Sequence, residues 1–206
     1  YVGFDVMLPI IRTGLNIDAL RYDGSTLGLG DFYFSPLILS WHGKRYDAAL
    51  AYSLFVPTGK WSRGDPCSAG KNYWTHMITA GGTVYLDQEK KWSASVLGRY
   101  EIHSGRGDED VKLGQDFHCA WGVARTVRKT IDVGVVGYCQ FQVTKDRGHD
   151  VTWDPDVKDR AFAVGPEVCI FFPKAVCFLS IRGLFEFGVR DRSQGHMIVV
   201  TLTKRF

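Results

Sequence analysis

The sequence has no run of about 18 apolar residues, so it offers no transmembrane helix. It has no cluster of Lys and Arg interleaved with aromatics. With 25 basic against 22 acidic residues the formal charge is only +3, which excludes the footprint of a nucleic-acid binder. No C-x-x-C occurs and the six histidines are dispersed, so spacing names no metal ligands and no cofactor is expected. No secretory signal is present, and the chain opens on Tyr1 rather than Met. A mature form or a fragment is expected, with further sequence before Tyr1.

What is present points to sheet. Hydrophobic residues make up 45% and mean hydropathy is −0.09, so apolar side chains are interleaved with polar ones rather than massed. Aromatics at 14% and 23 glycines suit large antiparallel sheets, which place aromatics at interfaces and Gly at bends. The clearest stretch is Ile131–Thr144. Ile131, Val133, Val135, Gly137, Cys139, Phe141 and Val143 fall on one face, and Asp132, Gly134, Val136, Tyr138, Gln140, Gln142 and Thr144 on the other. Its length exceeds the usual soluble strand of about 5–6 residues and suffices for a tilted crossing of a bilayer, which takes about 9–11.

The alternation predicts strands at residues 2–10, 29–41, 47–56, 73–86, 92–103, 116–127, 131–144, 161–172, 176–189 and 196–206. Phe32, Phe34, Pro36 and Ile38 are assigned outward on the second of these. Residues 12–26 are read as a polar connection. Connections near residues 43, 89, 129 and 174 are short. Those near 19, 64, 109 and 152 are long, and only the one near 192 breaks the alternation. Bacterial outer-membrane barrels have short periplasmic turns and longer external loops. A soluble barrel would bury the apolar face and wet the other. Here the strands are too long and too many, and the apolar face sets Trp74, Trp92, Tyr100 and Trp121 among Ala94, Gly98 and Gly137. The reading is all-β: one antiparallel up-and-down transmembrane β-barrel domain over 1–206. Ten strands are readable, and ten to twelve are expected in the full protein.

Several segments resemble a known family. Gly28-Leu29-Gly30-Asp31 with Ser35-Pro36 and Trp41 is similar to its "GxGD…P…W" block, and Phe55-Val56-Pro57-Thr58-Gly59-Lys60-Trp61 to its "PTG" strand end. Gly70-Lys71-Asn72-Tyr73-Trp74 resembles its "G-x-N-x-W" block. Gly137-Tyr138 with Gln140, Gln142 and Asp146 resembles "GY..Q..tD", and Val164-Gly165-Pro166 its "GP" strand. This is the outer-membrane family labelled "MetA-pathway of phenol degradation". The resemblance implies a channel for passive uptake of small hydrophobic or aromatic compounds in the outer membrane of a Gram-negative bacterium. Five cysteines depart from the family pattern. The expected partners are outer-membrane lipid and lipopolysaccharide, the barrel-assembly machinery through the strand ending at Phe206, and small hydrophobic solutes; nucleic acid is not expected.

Candidate lumen residues are Arg99, Glu101, Asp116, His118, Asp132, Glu167, Arg182 and Glu186. They form either a charged constriction that selects solutes or a salt-bridged plug, because unpaired buried charges are costly. The plug defines the alternative function, a structural or interaction barrel. Aromatic girdle candidates are Trp41, Trp74, Trp92, Tyr100 and Trp121. A third reading, an outer-membrane hydrolase, would draw on His103 with Ser104 or His118 with Asp116, but nothing in the sequence fixes a nucleophilic Ser beside them. No enzyme is therefore expected. Asp108, Glu109 and Asp110 read as a solvated charge run rather than a Ca²⁺ site. A turn over 128–130 sets Cys119 opposite Cys139, as a disulfide or, more simply, as two small lipid-facing side chains.

Overall fold

The computed structural model describes residues 1–17 and 22–204. The strands are β1 (Val2–Met7), β2 (Ile10–Ile17), β3 (Tyr22–Leu29), β4 (Phe32–His42), β5 (Tyr46–Val56) and β6 (Thr75–Tyr85). They continue as β7 (Trp92–His103), β8 (Asp116–Arg128), β9 (Ile131–Gln142), β10 (Arg160–Phe172), β11 (Cys177–Arg190) and β12 (His196–Lys204). No helix occurs among the described residues, and none is long and apolar enough to cross a membrane.

Ten strands form one antiparallel sheet in the order β1-β4-β5-β6-β7-β8-β9-β10-β11-β12. The expected meander of ten is therefore present. The connection read as polar coil is not coil: β2 and β3 form a separate hairpin, from Ile10 opposite Leu29 to Ile17 opposite Tyr22. Ile11 and Leu15 share a face with Thr13 but stand opposite Gly28 and Gly24, so the apolar face is thin and the period-2 signal weak.

The alternation of faces holds along most strands, and it fixes which side is out. Val96, Trp121, Val123, Val133, Val135, Val164, Ile181 and Phe185 are exposed, while most of their neighbours in sequence are half-buried or buried. A water-soluble barrel would show the reverse. On β4 the phase changes within the wall: Phe34 pairs with Leu54, but the next pair is Leu37 with Tyr52. This bulge falls at Ser35-Pro36, where Pro has no N–H for the ladder. It corrects the expected facing of Ile38: Leu37 and Trp41 are exposed outward, and Ile38 is turned in.

The sheet curls until Ser40 of β4 and Arg182 of β11 line one cavity. The outer two strands, β1 and β12, are exposed along nearly all their length. The ends of the wall differ. Short turns close one end. At the other, the loops 57–74 and 104–115 pack inward, and Cys67, Ala69, Tyr73, Val111, Ala161 and Met77 are buried there.

A single carboxylate organises the packing at the long-loop end. Asp31 Oδ1 accepts the Gly59 N–H at 3.0 Å, and Oδ2 accepts the Lys71 N–H at 2.9 Å. Gly59 and Gly70 touch backbone to backbone: a Cβ on Gly59 would lie 2.6 Å from Gly70 Cα. Lys60 N–H donates to Leu29 O, and Gly70 N–H to Lys60 O. Three sequence blocks thus meet in one clamp: Gly28–Asp31, Pro57–Lys60 and Gly70–Asn72.

Candidate functional site

The inner wall carries the candidate chemistry. In its short-turn half lies a cavity of about 490 Å³. Ala49, Gly81, Leu97, Ala120, Gly122 and Val136 line it, so small and apolar side chains leave the space open. Its charged lining falls in two pairs, Asp47 with His42 and Glu167 with Arg182. Glu167 and Arg182 are opposite in the β10–β11 register, with Oε1 2.9 Å from the guanidinium, and Ser180 Oγ donates to Glu167 at 2.5 Å.

Other candidates are also satisfied locally. Glu186 accepts the Tyr138 hydroxyl and, at 2.8 Å, the Gly195 N–H. Asp132 accepts the Thr126 hydroxyl at 2.6 Å near the short-turn end. Arg99 lies opposite His118 on the inner face.

Toward the long-loop end the wall is arranged differently. Glu101 of β7 sits directly opposite Asp116 of β8. Like charges directly opposite on a sheet repel. Two histidines flank them. His103 Nε2 is 3.2 Å from Asp116 Oδ2, and His118 Nε2 is 3.6 Å from Glu101 Oε1. Among the described residues no Lys or Arg comes within ion-pair reach of either carboxylate. His103 is buried at 2% exposure, with Nδ1 sharing a 2.8 Å hydrogen bond with Thr75 Oγ1 and its ring edge-on to Tyr73. The negative field reaches the neighbouring loops. Burial, and then Asp116, raise the Asp159 carboxyl above its ordinary value, and the same two causes push the Tyr73 phenol up.

Thr75, His103 and Asp116 also form a hydroxyl–imidazole–carboxylate chain, the arrangement a hydrolase would use. Thr75 is 1% exposed, so its hydroxyl meets no substrate. The sequence named His103 beside Ser104 and missed Thr75, which lies 28 residues away in the chain. Ser104 is otherwise engaged, accepting the Trp74 N–H at 2.9 Å.

The aromatic candidates are spread along the outer face. Trp41 and Trp92 lie near the short-turn end, and Trp74 and Tyr100 near the long-loop end. Trp121 lies mid-strand against Gly137, where a Cβ would come within 2.6 Å of the indole. Cys119 and Cys139 are opposite each other as free thiols. Phe206 lies outside the described residues.

An up-and-down antiparallel wall, apolar outward and charged within, defines the class: a transmembrane β-barrel. A solved structure agrees in fold. The chain is similar to the COG4313 outer membrane channel from Pseudomonas putida F1, with a TM-score of 0.78 and 18% identity over 98% of this chain and 75% of that one. No curated protein matches the chain in sequence. The model of the family described as "Putative MetA-pathway of phenol degradation" matches residues 1–202, and the chain belongs to that family.

Proposed function

We propose that this protein is an outer-membrane channel for passive uptake of small hydrophobic or aromatic compounds. Outer-membrane lipid would cover its exposed apolar band. The observation that carries the reading is the cavity of about 490 Å³ in the inner wall, lined mainly by small and apolar side chains, with its two carboxylates, Glu167 and Asp47, each partnered. Such a lining binds apolar solutes weakly enough to release them. The family's phenol-degradation context and the channel fold support the same reading. The test is flux into liposomes carrying the full-length mature protein. Phenol-like aromatics are compared with sugars of similar size, against empty liposomes, since aromatics cross lipid unaided. Protein-dependent flux that favours aromatics is the expected result; no flux of either class from folded protein overturns the proposal.

The packed long-loop end favours a second reading, a structural or interaction barrel closed by its own loops. That reading expects no flux of any solute. A catalytic role has less support still, because Thr75, the hydroxyl of the Thr75–His103–Asp116 chain, is buried.

A further inference from the structure

We infer that Glu101, His103, Asp116 and His118 form a binding site for a first-row divalent cation, zinc in the first instance, on the inner wall at the long-loop end. Candidate ligand atoms of Glu101, His103 and Asp116 all lie within 4.8 Å of one another; His118 stands outside that group and reaches it only through Glu101, 3.6 Å from its Nε2. The two carboxylate–imidazole separations, 3.2 Å and 3.6 Å, bracket the ligand–ligand edge of about 3.4 Å that a tetrahedral zinc with bonds near 2.1 Å requires.

The charges point to the same place independently of these distances. Two carboxylates face each other across the β7–β8 ladder, and no Lys or Arg reaches them among the described residues. Every other candidate lumen carboxylate has an evident donor: Glu167 has Arg182, Glu186 has Tyr138, and Asp132 has Thr126. A cation between Glu101 and Asp116 would remove the repulsion. The donor set selects its kind. Two imidazoles and two carboxylates suit zinc and its neighbours, whereas Mg²⁺ and Ca²⁺ favour oxygen alone.

Two details support the ligand roles. His118 Nε2 is buried and has no hydrogen-bond partner, although it points at Glu101. With a metal on Nε2, the nitrogen that faces Asp116, the Nδ1–H of His103 would donate to Thr75 Oγ1. This is the outer-shell hydrogen bond that orients a metal-bound histidine. Bound metal would tie β7 to β8 under the packed loops. The site does not depend on the proposed uptake function.

The test is calorimetric titration of zinc chloride into full-length mature protein. The protein carries no polyhistidine tag, is folded in detergent micelles free of lipopolysaccharide, and is stripped with chelator. The expected result is saturable binding of one zinc per chain that equimolar magnesium does not displace. His118→Gln should weaken binding by about 100-fold, and Thr75→Val by about 10–100-fold. His149→Ala, which removes an exposed loop histidine paired with Asp110, should leave binding unchanged. Folding of each variant is checked by heat-modifiable gel migration. Should Thr75→Val not fold, His118→Gln on the half-exposed wall decides alone, and zinc-dependent protection of the wild type against heat gives a second readout. Absence of saturable binding, binding indifferent to His118→Gln, or binding lost with His149→Ala would each overturn the assignment.

Discussion

On β10 and β11, Glu167 meets Arg182 at 2.9 Å; on β7 and β8, Glu101 meets Asp116 with only histidines beside them. Both pairs lie on the same inner face of the same sheet. The first contributes a neutral spot to an open cavity lined by small side chains. The second concentrates negative charge beneath a packed rim. The difference teaches that a count of inward charges says little about a lumen. What matters is which charges the strand register sets opposite one another. Opposite signs make wall, and like signs make a place for something positive.

The comparison rests on both pairs facing inward, and the largest expected effect tests that premise. Val135→Arg, on the exposed outer face of β9, should destabilise the barrel by about 2–4 kcal/mol, and Gln140→Arg, on the inner face, should cost less. Urea unfolding in liposomes reads both, and equal costs would break the assignment of faces. The next effect concerns the rim. Asp31→Ala strands the Gly59 and Lys71 N–H groups, at a cost of about 1–3 kcal/mol. Limited proteolysis should then cut residues 57–71 faster than in the wild type, and an unchanged rate would mean that the rim is held elsewhere.

The pairs themselves should respond with opposite signs. Arg182→Met leaves Glu167 with Ser180 alone and should lower stability by about 1–2 kcal/mol. Glu101→Gln, in chelator, relieves the repulsion with Asp116 and should raise stability by about 0.2–1 kcal/mol. The same sign at both sites would erase the contrast. The smallest effect lies outside the wall. His149 and Asp110 pair at 2.6 Å across two exposed loops. Hydrogen bonding to Asp110 raises the His149 imidazole above its ordinary 6.5, and the His149 backbone and ring hold the Asp110 carboxyl below its ordinary 3.8. The clasp is complete between those two ordinary values. It is lost as pH rises through the raised histidine value, or falls through the lowered carboxyl value. Hydrogen-exchange protection in residues 104–115 and 143–159, relative to the intrinsic rate at each pH, should be greatest in that window.

The wall was legible because lipid imposes a rule on every second residue. Ten strands, their order and their outward residues follow from that alternation. Where lipid is not the judge, the signal fails. In the β2–β3 hairpin Ile11 and Leu15 stand opposite glycines, so the apolar face is thin and residues 12–26 read as coil. The bulge at Ser35-Pro36 reverses the phase, so Ile38 reads outward. The Asp31 clamp was visible only as motif letters; its partners lie 28 and 40 residues away, and no local pattern joins them. The same holds for the carboxylate–histidine cluster. Its six-histidine background looks scattered until the β7–β8 register sets His103 and His118 diagonally across Glu101 and Asp116.

The hairpin of β2 and β3 has a consequence of its own. β1 pairs directly with β4, so the excursion between them adds no strand to the wall. Its length is therefore uncoupled from the barrel's circumference. Each added cross-strand residue pair would carry the ribbon about 3.4 Å further, while the pairing of Val6 with Phe34 stays as it is. The protein thus has a mast that can be lengthened, shortened or given a new tip without refitting the hull.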